Sequence, residues 1–485
     1  MTIAGLSFST SASHTSSHPC AANTITICVQ PSIDLLNTCL NDYESDVSGT
    51  TAYGRYPHIY VSGLIKTKTT GPFIRFETQT PSGIYSNDTD WNQASGMLTL
   101  KPNMIVQARV DVCVSFIVRN PAKAQSAPAL SITADILLHT ASAISSGSTL
   151  LVEANVFTAN VTQSTPFPCM SNVVTVTLTS VVPMYSFCTN LVTVTGLCGS
   201  TTDDSTALAI TATGGEITND MFTGVWTRES GVLVVDLQSF ILAAKSDLGG
   251  LNMVTLAVKL MNQECGQAGC QTSAVAVLGS TGLASDDDET NWTSTVTLGT
   301  GASRPMFIEA AHLEVTLVQG GLHVCIASEI HIFFRSNVPL QRRCVSNVTI
   351  YGLSWYEDPN NYEMTPDALI PSTNNPFAFD NSALWIPANR TLGPGLTMQI
   401  GEGVEANTDY KIKFPGTTAG LKSKLYTGDI AVGLAVPAST SCLNLTIVAN
   451  VSFEEKSTNK AILTITSTSQ QTVYLCAYTY ICTHT

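Results

Sequence analysis

The acidic run that precedes Trp292 is the part of the sequence best suited to binding a metal ion. It consists of Asp286, Asp287, Asp288 and Glu289. Carboxylates this close together repel one another, and Ca2+, which prefers oxygen ligands, would relieve that repulsion. The sequence leaves two interpretations open, a calcium site at these aspartates and a solvated acidic loop, and it indicates no other cofactor.

The sequence contains none of the short motifs that organise common catalytic sites. GxSxG, HExxH, the phosphate-binding P-loop and a GxGxxG that opens a helix are all missing. These motifs place a nucleophile, a zinc-bound water or a nucleotide phosphate. We therefore expect that the protein is not an enzyme.

Charge is sparse and acidic. The 485 residues have a net charge of −14, and charged residues make up 12% of the chain. Residues 1–54 and 124–227 contain no Lys or Arg, whereas nucleic-acid binding needs clustered cations. We expect no direct contact with nucleic acid. A surface this poor in charge favours burial against further copies of the chain.

The sequence shows neither of the two targeting signals expected of a membrane or secreted protein. No apolar run reaches the roughly 18 residues that cross a bilayer as a helix. The first residues lack the basic and apolar segments of a secretory signal. These features predict a protein that is neither inserted in a membrane nor exported by that route.

The stretch around Trp91, NDTDWNQASGMLTL, resembles the stretch around Trp292, DDETNWTSTVTL. Three further blocks recur in the same order: MIVQARVDVCVSFIV with MFIEAAHLEVTLV, LSITADILL with VCIASEIHI, and CMSNVVTV with CVSNVTIY. The series predicts a tandem duplication of one β-rich domain. Each indole is expected to close one end of its sandwich, with ligand stacking, as in carbohydrate recognition, as the alternative.

Short alternating apolar runs separated by Gly, Pro, Asn and Ser predict an all-β protein with very little helix. About eight strands in roughly 150 residues suit a jelly roll, so we expect tandem antiparallel jelly-roll β-sandwiches. The predicted divisions are a flexible arm with a first strand (1–54), a first jelly roll (55–200), a connector with one helix (201–250) and a second jelly roll (251–485). A partial third β-domain at 386–485 remains an alternative.

Two local features of this division carry specific predictions. Within the connector, the stripe of Leu237, Phe240 and Ile241 predicts an amphipathic helix that Gly249 would cap. Farther on, a Pro- and Asn-rich stretch carries large aromatic residues. We expect it to be an ordered loop at an interface with a partner, through Phe377, Phe379 and Trp385.

The fourteen cysteines are scattered rather than grouped in CxxC pairs. Several, including Cys28 and Cys113, lie in strand-like runs, where a free buried cysteine acts as a small apolar residue. Cys265 and Cys270, in ECGQAGC, are close enough in sequence to close a small disulfide. A full disulfide framework is the weaker interpretation without a secretory signal.

A neutral arm, tandem sandwiches, few charges, long Pro/Asn-rich loops and no catalytic motif together resemble viral jelly-roll coat proteins. The succession GMLTL, MIVQARVDVCVSFIV, LSITADILL, TLLVEANVF and NVVTVTLTSVVPMY also resembles the strand order of TNF/C1q-like jelly rolls, which form trimers and occur in surface spikes. The resemblance implies self-assembly into a capsid shell or a projection on a virion, formed in the host cytoplasm. Its partners would be itself, other coat proteins and a host receptor or glycan.

The competing hypothesis belongs to another class. A secreted or cell-surface β-sandwich adhesin that binds glycans would share the same strand pattern and the same lack of catalytic motifs. Such a protein would require export. Self-assembly and surface adhesion thus remain the two functions to be distinguished.

Overall fold

The computed structural model describes residues 6–36, 57–69, 73–86, 89–135, 142–144, 147, 149–185, 188–214, 217–238, 240–241, 251–263, 267–268, 275–282, 290–311, 313–319, 330–342, 347–351, 363–364, 379–386, 395–401, 403–414, 431–435, 445–448 and 461–466. Within them the regular secondary structure is almost entirely β-strand, in antiparallel sheets that build sandwiches, which confirms the predicted all-β class. The strands repeat along the chain as three modules with a common strand order.

The first module pairs two sheets around one core. Its strands are β1 (Phe8–His14), β2 (Ala22–Pro31), β3 (Ile59–Ser62), β4 (Phe76–Thr80), β5 (Asp90–Asn92), β6 (Met97–Leu100), β7 (Val112–Arg119), β8 (Ser131–Ala134) and β9 (Ser142–Ala143). The sheets have the orders β1-β2-β7-β4 and β5-β6-β3-β8-β9. In β7, Val112, Val114 and Phe116 are buried and the intervening residues face outward, as the alternation in QARVDVCVSF predicts.

The second module repeats this arrangement. Its strands are β10 (Phe157–Gln163), β11 (Ser171–Met184), β12 (Thr189–Thr195), β13 (Ser205–Gly214), β14 (Ile217–Thr227), β15 (Val232–Asp236), β16 (Leu251–Met261), the short β17 (Gln267–Ala268), β18 (Ala276–Gly282) and β19 (Thr290–Thr293). The order β10-β11-β16-β13 matches β1-β2-β7-β4, and β14-β15-β12-β18-β19 matches β5-β6-β3-β8-β9. Because β13 also pairs with β14, the two halves form one continuous sheet.

The two edges of that sheet meet. β19 lies at one edge, and β20 (Thr295–Leu298) lies at the other, parallel to β10. Ser294 alone separates β19 from β20, and its N–H and hydroxyl donate to the carbonyl of Val277 at 3.0 and 2.9 Å. Since one residue spans only about 3.4 Å, the sheet must curl until its edges are adjacent. Its inner side chains then enclose a single core around Trp226.

The third module keeps the order in the part that is described. Its strands are β22 (Leu313–Gln319), β23 (Ile330–Ser336), β24 (Asn347–Tyr351), β25 (Glu363–Met364), β26 (Phe379–Ile386), β27 (Gly395–Ile400), β28 (Asp409–Phe414), β29 (Ala431–Ala435) and β30 (Leu445–Val448), preceded by β21 (Phe307–Ile308) and followed by β31 (Ala461–Thr466). The order β22-β23-β28 matches β1-β2-β7, and β26-β27-β24-β29-β30 matches β5-β6-β3-β8-β9. β31 adds to the edge of β22.

Two glycines fix the same turn in the first and second modules. Gly96 and Gly231 both have φ +61°. A Cβ at Gly96 would lie 2.5 Å from the carbonyl carbon of Leu64, and one at Gly231 would lie 2.7 Å from that of Leu197. Each glycine carbonyl accepts a hydrogen bond from the N–H of the same leucine at 3.0 Å. Glycine is required at both positions because only it fits this close approach.

The strand order repeats along the chain, but the repeat does not follow the correspondence that the sequence predicted. Trp91 on β5 precedes Gly96 by the same interval as Trp226 on β14 precedes Gly231, and β5 and β14 hold equivalent places. Trp292 lies on β19, at the outer edge of the second sheet. The match of Trp91 with Trp292 is therefore wrong. It rested on shared Asp, Asn and Thr content, whereas the true repeat is fixed by backbone geometry.

The module boundaries also differ from the predicted divisions. The expected arm (1–54) contains β1 and β2, and the expected connector (201–250) contains β13, β14 and β15. FSTSASH forms a strand because its serines alternate on an exposed face, where small hydroxyl side chains are tolerated. The predicted 55–200 and 251–485 jelly rolls are replaced by modules that span β1–β9, β10–β19 and β22–β30.

The helix predicted near the end of the connector begins as expected. Helical backbone starts at Gln238, whose N–H is capped by the carboxylate of Asp236 at 2.9 Å. Phe240 and Ile241 are buried in the core of the second module. The rest of the predicted helix, including Gly249, lies outside the described residues.

Candidate interaction surface

Threonine covers the outer face of the sheet formed by β10, β11, β16 and β13. Successive side chains point to opposite faces of a strand, so one set fills the core and the other faces outward. We call the outward set the threonine face: Thr158, Asn160, Thr162, Thr175, Thr177, Thr179, Thr211, Thr213, Met253, Thr255 and Ala257. None of these residues is charged, and Lys259, two residues beyond Ala257 on the same side of β16, is an exposed cation at the border of the face. A partner can cover the residues of the threonine face without burying an unpaired ion.

The hydroxyl groups of the threonine face form cross-strand rows. Thr177 and Thr255 are opposite one another on β11 and β16, and their Oγ1 atoms lie 3.2 Å apart. The first module has a similar contact between Thr26 Oγ1 and Ser115 Oγ at 2.8 Å. A hydroxyl can donate one hydrogen bond and accept two. Each row therefore keeps hydrogen-bonding capacity for a ligand.

Large apolar side chains are exposed around the threonine face. Val181 is 69% exposed, and its N–H donates to the carbonyl of Val156, which is 53% exposed. Met253 is 52% exposed on the neighbouring strand. Met221, at 74%, lies on β14 opposite Thr211 of β13. Exposed apolar groups collected in one region are typical of a surface that binds another molecule.

One cross-strand pair at the centre of the outer face has a different chemistry in each module. The segments HPCAANTITIC, FPCMSNVVTVT and HVCIASEIHIF align the three modules on one strand. The pair is Cys28–Cys113 in the first module, Thr177–Thr255 in the second and Phe333–Lys411 in the third. It is a disulfide, a hydroxyl contact and a cation–aromatic contact, respectively.

The third module presents an aromatic ring and cations where the first module has a disulfide and the second has two hydroxyls. Phe333 is 37% exposed, and Lys411 Nζ lies 5.5 Å from its ring centroid. Arg335, two residues farther along β23, is exposed on the same face. Phe334 and Tyr410, of opposite parity, are buried beneath. The strands are thus anchored from inside while this face remains accessible.

Two buried asparagines close the same end of the first and second modules. Asn23 Nδ2 donates to Asn120 Oδ1 at 2.8 Å, and Asn172 Nδ2 donates to Asn262 Oδ1 at 2.9 Å. Asn120 donates to two main-chain oxygens of the turn between β1 and β2, and Asn262 to two of the turn between β10 and β11, at 2.8 to 3.1 Å. The PCxxN pattern at Cys20 and Cys169 is the signal in the sequence that marks this repeat, and it was not among the predicted site residues.

All cysteines that the structure describes are in disulfides. Cys28 bonds Cys113 within the first module, and Cys20 bonds Cys188 across the junction of the first two modules. Cys169 and Cys198 are also disulfide-bonded. The prediction that Cys28 and Cys113 are free apolar residues is therefore wrong, because the two strands bring their Cα atoms to 4.0 Å. Cys265 and Cys270 lie outside the described residues.

A few titratable groups have a pKa displaced by burial. Burial raises the pKa of the Tyr85, Tyr185 and Tyr410 phenols and lowers the pKa of the His14 imidazole. The carboxylate of Glu405 raises the pKa of Tyr410 further, while its main-chain N–H, 2.9 Å from the phenol oxygen, opposes the shift. These shifts are explained by packing, and they identify no acid–base pair in the described ranges.

The predicted site residues fall into two groups. Asp286, Asp287, Asp288 and Phe377 lie outside the described residues, so the calcium hypothesis stays a prediction. Among the described ranges, no three His, Cys, Asp or Glu residues are grouped to hold a metal ion.

The described aromatic residues of the predicted partner interface lie on a strand. Phe379 and Trp385 belong to β26, which pairs with β27 rather than forming the expected loop. Trp91 is 8% exposed in the first core, and Trp292 stacks on Phe157 with ring centroids 3.8 Å apart.

Comparison with known proteins gives little. No protein-family model and no curated protein matches the chain. Similar solved structures include one described as "BspA_C_mut" (9% identity, TM-score 0.23, 59% of this chain, 98% of that one). Others are the C-terminal domain of the Streptococcus pyogenes antigen I/II-family protein AspA (10%, 0.23, 59%, 99%) and the collagen adhesin CNA from S. aureus (12%, 0.17, 59%, 91%). TM-scores this low carry no inference. In the described ranges, no helix is long and apolar enough to cross a membrane.

Proposed function

We propose that the chain is a non-enzymatic extracellular protein of the adhesin class, built from β-sandwich modules that bind partners through their outer sheet faces. The disulfides carry this proposal. Disulfides persist in oxidising compartments and are rare in the reducing cytosol, and every described cysteine is in one. A protein stabilised in this way folds and acts outside the cytoplasm.

The module surfaces support a binding role. The threonine face combines hydroxyl groups with the methyl groups of threonine and with exposed Met253. Surfaces of this kind suit glycans, whose rings present hydroxyls and apolar C–H groups together. Binding a glycan is the simplest use for a large face with one bordering cation, Lys259, on a rigid sandwich.

Thiol trapping tests the compartment. The protein is isolated from its native source in the presence of an alkylating reagent, and each cysteine is assigned by peptide mass spectrometry. Cys20, Cys28, Cys113 and Cys188 should be unmodified before reduction and modified after it. Alkylated Cys28 and Cys113 in the unreduced sample would contradict an extracellular site of action.

A glycan array tests the binding role. Wild-type protein should bind a subset of immobilised glycans, and Thr177→Lys with Thr255→Lys should abolish binding to glycans held by the threonine face. Thr227→Lys, at an exposed site on β14 outside that face, is the matched control. Equal loss in both variants would show a general charge effect instead.

Self-assembly into a virion shell or projection is the second candidate. The exposed Val156, Val181, Met221 and Met253 favour it, because copies of the chain would bury these groups against one another. Negative-stain microscopy and light scattering separate the two functions. Closed shells or regular oligomers support assembly, and a monomer that binds glycans supports adhesion.

A further inference from the structure

We infer that the outer face of the third module binds an anionic saccharide, with Phe333 as the stacking platform and Lys411 and Arg335 as the groups that meet its acidic substituents. This inference rests on the proposed extracellular binding function and names the ligand class for one face. It concerns β23 and β28, the strands that carry these three residues.

Phe333 lies on the outer face of the sheet, where its ring is not part of the buried core. β23 lies between β22 and β28, so the ring projects from the middle of the sheet and not from its edge. It is 37% exposed, whereas Phe334, the next residue, is 2% exposed in the interior. The inner ring supplies the packing energy, and the outer ring remains available for contact.

The other modules show that the fold does not require this chemistry. The same pair of positions holds Cys28–Cys113 in the first module and the hydroxyl contact of Thr177 with Thr255 in the second. Neither alternative offers an aromatic face or a charge. The Phe333–Lys411 contact is therefore particular to the third module and is not a requirement of the fold.

The neighbouring cations select an acidic ligand. Lys411 Nζ lies over the Phe333 ring, 5.5 Å from its centroid, so a sugar ring that stacks on this face would displace the ammonium to the side of the ring and remove water from it. A charge that loses water without gaining a partner is unfavourable, whereas a carboxylate or sulfate restores a charge-assisted hydrogen bond. Arg335 lies about 6.7 Å farther along the strand, within reach of a second acidic substituent or the next sugar unit.

Two carboxylates mark one boundary of the site. Glu314 and Asp409 are the cross-strand neighbours of Arg335 on β22 and β28. In the part of the chain that is described, Arg335 forms no ion pair with either, so its guanidinium is available to a ligand. The carboxylates repel an anion, which places the acidic group of the ligand on the Lys411 side of Arg335.

Binding of defined oligosaccharides to the 485-residue chain tests the inference. The probes are a heparin oligosaccharide with sulfate and carboxylate groups, a hyaluronan oligosaccharide with carboxylates alone, and neutral dextran, measured by titration calorimetry at low salt. We expect binding to at least one acidic probe and none to dextran. The two acidic probes distinguish sulfate recognition from carboxylate recognition.

Variants locate the site. Arg335→Gln with Lys411→Gln should weaken binding at least about tenfold, and Phe333→Leu by about tenfold. Lys411→Arg should retain binding, and Glu314→Gln should strengthen it by removing repulsion. Lys259→Gln, an exposed cation on the second module's β16, is the matched control and should change nothing. Unchanged melting temperatures show that the variants are folded.

Several outcomes would overturn the inference: no binding to either acidic probe, equal binding to dextran, or equal effects of Lys259→Gln and the double variant. Glycan-array binding lost only in the threonine-face variants would overturn it too, while leaving the extracellular binding function supported. Reactive thiols in the native protein would instead contradict the proposed function itself. The two failures are thus distinguishable.

Discussion

Cys28 and Cys113 lie directly opposite each other on β2 and β7, joined by a disulfide at the position where the second module has two threonines in hydrogen-bonding contact. In the second module the strand pairing and this hydroxyl contact therefore hold the position together without a covalent link. The disulfide adds a covalent link between residues separated by 85 positions in sequence.

Replacing this disulfide by the threonine pair should leave the first module folded but less stable. We expect Cys28→Thr with Cys113→Thr to lower the free energy of unfolding by about 2 to 4 kcal/mol, because the unfolded chain regains the entropy of an open loop. Urea unfolding under non-reducing conditions measures the change. The reciprocal control, Thr177→Cys with Thr255→Cys, should form a disulfide detectable by mass spectrometry; persistent free thiols there would refute the equivalence of the two positions.

Gly96→Ala and Gly231→Ala should destabilise their modules by a similar amount. In each variant the new methyl group would lie closer than contact distance to main-chain atoms, and the alanine would keep a strained positive φ. The two effects together should lower the free energy of unfolding of each variant by about 3 to 4 kcal/mol. Gly83→Ala is the control, since its φ is +75° but nothing lies within 4 Å of the added Cβ. It should lose only about 1 to 2 kcal/mol. Denaturant midpoints that do not separate Gly96→Ala from Gly83→Ala would argue against the close approach.

The buried asparagines should be essential to the end of each module. Asn120→Ala removes an acceptor for Asn23 and two donors to main-chain oxygens, so we expect a loss of about 3 kcal/mol from the unsatisfied groups left behind. Asn262→Ala should have the same effect in the second module. Asn252→Ala, an exposed residue with a single 3.5 Å contact, should be near neutral. Hydrogen exchange would localise each loss, and a loss spread over all modules would count against local closure.

His14 gives the first module a pH dependence that the second module lacks at that position. Burial lowers its pKa below the ordinary value of 6.5, so the folded state prefers the neutral imidazole. The contribution of His14 to the free energy of unfolding is therefore at its highest above pH 6.5. It declines as the pH falls below 6.5, because the unfolded state takes up the proton first. His14→Gln, which copies Gln163 of the second module, should flatten the decline in unfolding midpoint between pH 7.5 and 5. Parallel curves for both proteins would exclude His14 as the cause.

The all-β class followed from the sequence because alternation is a local property. In β7 and β11 the apolar residues recur at every second position over most of the strand, and no long-range information is needed to recognise that. A repeat was also recognisable in the sequence, but which residues of the modules correspond was not. Trp292 is conspicuous in the sequence but does not mark the repeat. The repeat is marked by Gly231, which is fixed by a main-chain contact with a segment distant in sequence.

The surface chemistry was harder to predict for a different reason. Serine strands such as β1 have no apolar periodicity, and a cysteine carries no sign of its partner when the partner is 85 or 168 residues away. Phe333, Arg335 and Lys411 are visible in HIFFR and YKIKF, yet their proximity depends on the pairing of β23 with β28. Side-chain alternation reveals which residues face outward, but only the register reveals which of them meet.

The Cys20–Cys188 bond determines how the molecule would respond to pulling. It joins the first hairpin turn of the first module to the segment after β11, beside Ala21, Ala122 and Tyr185. Tension applied between the two ends of the chain would pass from Cys20 directly to Cys188 through the sulfur atoms. The two cysteines are separated by 168 positions. The segment between them, which includes nearly all of the first module, would bear none of this tension. For a protein tethered outside a cell, most of that module would thus be shielded from mechanical unfolding as long as the bond is oxidised.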